Sequence, residues 1–532
     1  MTRYSLLFAS TVLTLVSLIA LFWSGWMILF VALFAFLTAL GVYDVMQPSH
    51  SILRNYPVMG HLRFLFEGIR PEIRQYLMES DQDEEPFSRD QRSLIYQRAK
   101  GVEDKRPFGT QQRVYDSGYE WITHSVVPQH LTNHDFRITI GGPDCKKPYE
   151  ASIYNISAMS FGSMSANAIL ALNTGAKKGG FAHDTGEGGI SRYHRDGGGD
   201  LIWEIGSGYF GCRTHEGRFD VEKFAKQARD PQVKMIEVKL SQGAKPGHGG
   251  VLPASKITPE IAEARDIPMG QDCVSPSAHP EFSTPIELMQ FIGTLRDNAD
   301  GKPVGFKLCI GHRREFMCIV KAMIETKIVP DFIVIDGKEG GTGAAPLEFA
   351  NHVGMPLVEG LTFAHNTLLG AGLRDRIKIG ASGKIVSSFD MAKMLALGAD
   401  WANSARGYMF AIGCIQAQAC HTNHCPVGVA TQDPLRQRAL VVPDKAERVY
   451  RFHKNTLKAL AEMTGAAGLA HPSDFRPHHL LMREGDRNMV TGQQVYPYMP
   501  DGFLLRAEED KYGYLKRWNR ARADNFEPFD VE

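Results

Sequence analysis

From Ile153 onward the sequence repeats one unit: a short unbroken apolar run, a Gly or Ser turn, then a stretch that reads as helix. The runs are residues 153–158, 181–183, 201–205, 235–240, 304–309, 332–335, 377–379 and 401–403. Runs this continuous suit strands buried on both faces, as in a parallel sheet. Helical stretches at 284–297, 314–326 and 389–397 alternate with them, which is the pattern of βα units. About eight units predict an α/β fold, a (β/α)8 TIM barrel with its active site at the C-terminal ends of the strands. The count holds to within one or two, the least regular part lying between Gly206 and Gln271.

Those strand ends carry the residues that look chemical. Ser382-Gly383 and Ala405-Arg406-Gly407 follow the seventh and eighth runs, where barrels commonly bind phosphate on backbone N–H groups. Asp336, Gly337, Gly340, Gly341 and Gly343 follow the sixth, with glycines enough to let backbone approach a flat cofactor. Lys307 lies near the end of the fifth, where a charge among apolar neighbours is costly unless paired. Its alternatives are a place beside that flat cofactor, whose reduced form its charge would stabilise, and a salt bridge at the core edge.

A second chemical feature is GCIQAQACHTNHCPVGVATQ, residues 413–432, which holds Cys414, Cys420 and Cys425. Three thiolates so closely spaced can converge on an iron–sulfur cluster, or on zinc with His421 or His424 as a fourth ligand. Spacing alone leaves the two open. The other five cysteines are scattered and suggest no disulfide framework, so the compartment reads as reducing.

The N-terminus is unlike the rest. Residues 5–42 carry no charge, and as one helix would extend about 57 Å, against ~30 Å of bilayer hydrocarbon. Two shorter helices turning at Ser24-Gly25, with Trp23 and Trp26 at the interface, are expected over residues 1–45; a single tilted span is the alternative. Arg3 before the hairpin and Arg54, Arg63, Arg70 and Arg74 after it place both ends in the cytoplasm by the positive-inside rule. The expected location is therefore the cell's inner, cytoplasmic membrane, multi-pass, with the catalytic domain in the cytoplasm. Residues 46–148 read as a connecting layer of helix and loop, solvated over 76–113. The barrel domain is expected over 149–440, and a helical segment with a polar tail over 441–532. Lys+Arg and Asp+Glu are both 59, so nothing argues for a nucleic-acid partner.

The cysteine loop running into VGVATQDP, with EVKLSQGAKPGHGG at 237–250 and DGKEGGTGAAP at 336–346 in the same order, resembles the FMN-binding synthase domain of glutamate synthase. The resemblance covers roughly residues 154–469. It implies a barrel holding FMN, and a 3Fe-4S cluster on Cys414, Cys420 and Cys425. It assigns the stretch of Met159, Ser160 and Ser163 to FMN contact, with Ser160 and Gly343 near substrate. The same resemblance makes Lys245 the lysine of the 2-oxoglutarate site, Glu187 a glutamate that orients ammonia or accepts a proton, and Arg265 a clamp for a substrate carboxylate. Val251 stands where the family tends to have Gln, and His248 where it has Glu.

The implied reaction is reductive amination of 2-oxoglutarate with ammonia to L-glutamate. No N-terminal cysteine nucleophile and no dinucleotide fingerprint are visible. Ammonia, free or glutamine-derived through a separate amidotransferase, and electrons from a ferredoxin or reductase are therefore expected from outside the chain. Val251 and His248 favour an alternative amine, as in an N-methylglutamate-synthase-like enzyme. The hairpin favours a membrane redox carrier without amino-acid turnover.

Overall fold

The computed structural model describes residues 3–78, 80, 86–485 and 487–527. Residues 79 and 81–85 of the polar stretch 76–113, and residues 528–532 of the polar tail, lie outside the described residues. The chain forms two compact units, Met1–Asp90 and Gln91–Glu532.

In the first unit, helices Ser5–Ala20 and Met27–Met46 lie against each other as a hairpin turning through Ser24-Gly25. Small polar residues hold the two together: Thr38 Oγ1 donates to Ser10 Oγ at 3.2 Å, and Thr14 and Thr38 hydroxyls meet at 3.3 Å. Gly41 admits the Leu7 side chain, whose Cδ1 would lie 2.7 Å from a Cβ there. Met27–Met46 has a mean hydropathy of 2.2 and, among the described residues, is the one helix long and apolar enough to cross a bilayer. Ser5–Ala20 is equally apolar in kind but has 16 residues, about 24 Å of helix at 1.5 Å per residue.

The second unit is built on eight strands: β1 Tyr154–Ile156, β2 His183–Asp184, β3 Leu201–Ile205, β4 Val233–Lys239, β5 Val304–Leu308, β6 Phe332–Asp336, β7 Lys378–Ser382 and β8 Trp401–Ser404. They form a closed parallel barrel in sequence order, β8 returning to β1 with Ala402 opposite Tyr154 and Ser404 opposite Ile156. Each of the eight apolar runs is one barrel strand. Every residue of β1, β2, β3, β5 and β8 is buried, which is why these runs do not alternate.

The helices between strands begin where the sequence caps them. Thr284 and Glu287 form a reciprocal capping box at Pro285–Asn298, and Ser387 with Asp390 does the same at Ser388–Ala396. Each such cap is worth about 1 kcal/mol. The C-terminal helix Val442–Ala466 packs on Ala166–Gly179. Gly175 makes that approach possible, since a Cβ there would lie 2.6 Å from Val449. The barrel is closed off on its flank by chain from both ends: Glu120–Ile122 pairs antiparallel with Leu480–Glu484.

Candidate active site

At the C-terminal mouth of the barrel the strand-end loops surround an open cleft with a cavity volume of about 130 Å³. The loop after β1 supplies Met159, Ser160 and Ser163, the loop after β2 supplies Glu187, and the segment after β4 supplies Lys245 and Val251. Gly341, Gly343, Arg406 and Cys420 complete the opposite wall. All ten were singled out from the sequence, and they line one cleft.

Electrostatics concentrate on one side of it. Lys239, at the end of β4, pairs with Glu187 at 3.0 Å and approaches Glu204 at 3.9 Å. Burial works against the Glu187 charge, but the Lys239 ammonium, with Arg265 and Lys245 beyond it, holds its carboxyl down at about 2. Glu187 is thus ionised under physiological conditions, an acceptor and not a donor. Lys245 is 5% exposed, and burial lowers its affinity for a proton while Glu187 partly restores it. Three glycines shape this corner. A Cβ at Gly250 would lie 2.0 Å from Glu187 Oε1, one at Gly206 would lie 2.9 Å from Glu187 Cβ, and one at Gly243 would lie 1.7 Å from the Gly337 carbonyl oxygen.

The β6–β8 ends are equally tight. A Cβ at Gly337 would sit 2.5 Å from Leu357 Cβ and one at Gly341 2.7 Å from Arg406 Nε, while Gly383 has φ +146°, a conformation side chains other than hydrogen rarely adopt. Arg406 donates to the Thr342 carbonyl and points Nη1 at Met409 Sδ, 3.3 Å, and Cys420 Sγ, 3.9 Å. Small loop residues, glycine backbone and a guanidinium lining one cleft fit a flavin mononucleotide, whose ring is flat and whose phosphate is anionic.

Four of the remaining candidates lie behind these walls. Gly340 donates its N–H to the Gly337 carbonyl at 2.8 Å, Ser382 meets Ser157 Oγ at 3.3 Å, and Asp336 Oδ2 accepts from Gly243 N at 2.7 Å. Arg265 is buried, donating Nη2 to the Phe161 carbonyl at 3.2 Å with its guanidinium carbon 5.2 Å from the Phe210 ring centre. It supports the β1 loop from beneath and is absent from the cleft lining. Lys307 is also absent from the lining: its ammonium points into the barrel core, 2.9 Å from Glu237 and 3.6 Å from Asp184, and hydrogen-bonds Glu204.

Cys414 and Cys425 are buried and Cys420 half-buried, all three as free thiols. A single tetrahedral ion with metal–sulfur bonds of about 2.3 Å draws its sulfurs to about 3.8 Å. Among the described residues, the trio of ligand atoms within 4.8 Å of one another is Asp184, Glu204 and Glu237, and no set drawn from the cysteine loop meets that spacing. Tyr96 OH donates to the Cys414 carbonyl at 2.6 Å, fixing one end of the loop.

Sequence reasoning passed over Lys256, Lys239 and Glu204. Lys256 is 3% exposed, and its ammonium donates to the Cys420 carbonyl at 2.8 Å, Ala430 at 3.2 Å and Ser163 at 3.3 Å. One buried cation therefore ties the cysteine loop to the β1 loop. Its only signal was a lone lysine in PASKITPE. Glu204 and Lys239 carried the signal applied to Lys307, a charge inside an apolar strand.

A family model described as the conserved region in glutamate synthase matches residues 137–470. The chain is similar to the glutamate synthase large subunit-like protein YerD of Bacillus subtilis, 38% identical over 85% of this chain and 93% of that protein. It is also similar to the archaeal glutamate synthase [NADPH] of Methanocaldococcus jannaschii, 36% identical over 62% of this chain and 61% of the other. An archaeal-type glutamate synthase [NADPH] of Thermotoga maritima is 33% identical over 64% and 63% respectively. A mandelate oxidase of solved structure superposes over 81% of the chain at 16% identity and a TM-score of 0.40, too loosely to inform the site.

Proposed function

Because this chain belongs to the glutamate synthase family, we propose that it is a membrane-attached oxidoreductase that reductively aminates 2-oxoglutarate with ammonia to give L-glutamate. The observation that carries the reading is the cleft itself. It sets Lys245, Lys239 and ionised Glu187 at one wall and glycine backbone with Arg406 at the other. FMN would lie between the Met159–Ser163 loop and the Gly341–Gly343 backbone, its phosphate near Ser382, Gly383 and Arg406. Cys414, Cys420 and Cys425 would hold a 3Fe-4S cluster. When bound, these groups supply one-electron entry and hydride transfer.

The chain's own residues do the rest. Lys245, a buried ammonium, pairs with a carboxylate or the keto oxygen of the oxo-acid, drawing electron density from the carbon that ammonia attacks. Glu187, held ionised by Lys239, accepts a hydrogen bond from incoming ammonia or from the amine as the imine forms and so orients the nitrogen. Half-buried Cys420 beside Arg406 brings the cysteine loop to the cleft lining. Ammonia, free or from a separate amidotransferase, and electrons from a ferredoxin or reductase would come from partners. Met27–Met46, with Ser5–Ala20 beside it, would attach the enzyme to the cytoplasmic membrane as a two-pass hairpin.

A second reading has one specific observation behind it: Val251, 37% exposed, lines the cleft beside Lys245. An apolar side chain there suits a substituted amine, with an N-alkylglutamate as product. The test is anaerobic: purify the full chain in detergent, record absorbance, iron content and low-temperature EPR, then reduce it and add 2-oxoglutarate with ammonia or methylamine. A three-iron signal and flavin reoxidation dependent on the ammonia pair support the synthase. Reoxidation with methylamine alone moves the assignment to the second reading, and silence to both leaves a redox carrier.

A further inference from the structure

Beneath the cleft the barrel interior holds more charge than the amination uses. Asp184 of β2, Glu204 of β3, Glu237 of β4 and Asp336 of β6 face the ammonium of Lys307 on β5. Single carboxylate oxygens of Asp184, Glu204 and Glu237 lie within 4.8 Å of one another, and the three side chains are each 1% exposed. The Lys307 ammonium stands where a cation held by that trio would stand, so the cluster needs no metal ion. The neighbouring cation, Lys239, is already committed to Glu187 at 3.0 Å and lies 3.9 Å from Glu204.

Four carboxyl groups around one ammonium cannot all be ionised where little water reaches them, since like charges a few ångströms apart repel strongly at low dielectric. Glu237 is the member least provided for. Both of its buried oxygens fall outside hydrogen-bond geometry, and its one close contact is the ion pair of Oε1 with the Lys307 ammonium at 2.9 Å. Glu204 alone of the four also lines the cleft.

We propose that this cluster stores a proton at neutral pH on the Asp184–Glu237 side and releases it to the cleft through Glu204. Burial pushes the Asp184, Glu237 and Asp336 carboxyls above the usual range. For Lys307 burial opposes the charge, but Glu204, Glu237 and Asp184 together keep it protonated. Conversion of a keto acid and ammonia to an amino acid consumes protons as well as a hydride, and ionised Glu187 has none to give. In the proposed transfer an O–H bond of the buried acid breaks and one forms on Glu204. Glu204 then passes the proton to the oxygen leaving as water, or to the amine nitrogen. No electrons leave the cluster, and solvent at the cleft mouth restores the proton. The delivery step rests on the reductive reading above; the stored proton does not.

Infrared spectroscopy of the full-length protein, with carbon-13 labelled Glu and Asp to identify carboxyl bands, tests the store without turnover. A protonated-carboxyl band at neutral pH that is lost or shifted in Glu237→Gln or Asp184→Asn is expected. Its absence from the wild-type protein overturns the store whether or not either variant folds, and a band unchanged in both folded variants overturns the assignment. For delivery, Glu204→Gln should lower turnover about 10²-fold, with KM for the oxo-acid held and the pH dependence changed. An unaltered pH profile overturns the delivery route. If the wild-type protein shows no amination with any amine, the functional reading fails while the infrared result still decides the store.

Discussion

At the scale of single residues the cleft is governed by buried charge, and its charges pull stability in opposite directions with pH. Glu187 has a folded-state affinity for protons depressed to about 2 from an ordinary 4.5. The stability it contributes is present above the unfolded value and is lost as pH falls toward the folded one, roughly 3 kcal/mol in all. Asp184, Glu237 and Asp336 are raised, so the folded state binds more protons than the unfolded, and stability declines as pH rises above the ordinary carboxyl range. Urea midpoints across pH should therefore show Glu187→Gln flattening the acid limb and Glu237→Gln flattening the neutral one. A Glu237→Gln protein that loses stability more steeply with rising pH than the wild type would contradict the sign. Lys256 is the other buried charge to test. Lys256→Met strands three carbonyl oxygens and should cost about 2–4 kcal/mol. Iron content should fall with it, as measured in anaerobically purified protein, whereas Lys256→Arg should recover part of both.

Elements were legible in the sequence wherever one physical rule dominated. All eight barrel strands could be read because a strand buried on both faces is mainly apolar without alternation, and such short runs recur here between glycine turns and helical stretches. The capped helices after Thr284 and Ser387 could be read for a similar reason, their boundaries being set by local side-chain hydrogen bonds. The small strands Glu120–Ile122 and Arg137–Ile140 could not, because each is held by a partner distant in sequence or by edge pairing, with no apolar run to mark it. At the site, the strand-end glycines and the placing of Lys245 and Glu187 in one cleft were legible, while the carboxyl groups around Lys307 were not. A charge in an apolar strand must be paired; applied to every strand, that rule also picks out Glu204 in LIWEI and Glu237 in MIEVKL, which are its partners. Arg265, expected as a carboxylate clamp, lies behind the lining and donates to the Phe161 carbonyl. An arginine on a short helix reads the same whether it faces a ligand or a loop carbonyl. The glycines invite an element-scale test: Gly243→Ala puts a methyl 1.7 Å from the Gly337 carbonyl oxygen, backbone against backbone. The β4 and β6 loops must separate, so we expect a loss of more than 2 kcal/mol and loss of bound flavin absorbance, with far-ultraviolet circular dichroism retained.

For the whole molecule, the division into units at Asp90 separates the apolar hairpin from the barrel in sequence. Gln91–Glu532 contains the closed barrel, the cysteine loop and the C-terminal segments paired with them, and so has a complete core of its own. Met1–Asp90 contains the apolar hairpin, whose outer surface is exposed Leu, Phe, Ile and Trp, including Phe22, Trp23 and Trp26 at 79–89% exposure around the turn. A patch so large and continuous is unstable in water, and tryptophan at its turn suits a bilayer interface. The chain cut to residues 91–532 should therefore stay soluble, keep the flavin spectrum and leave the membrane fraction entirely. The full chain should sediment with membranes and resist alkaline carbonate. Within the full chain, Leu33→Arg with Phe36→Arg places two charges mid-helix in Met27–Met46, each costing about 2.5–3.5 kcal/mol of insertion. That variant should become carbonate-extractable while its barrel still binds flavin. If it remains in the pellet as firmly as the wild type, Met27–Met46 is not what holds the protein there.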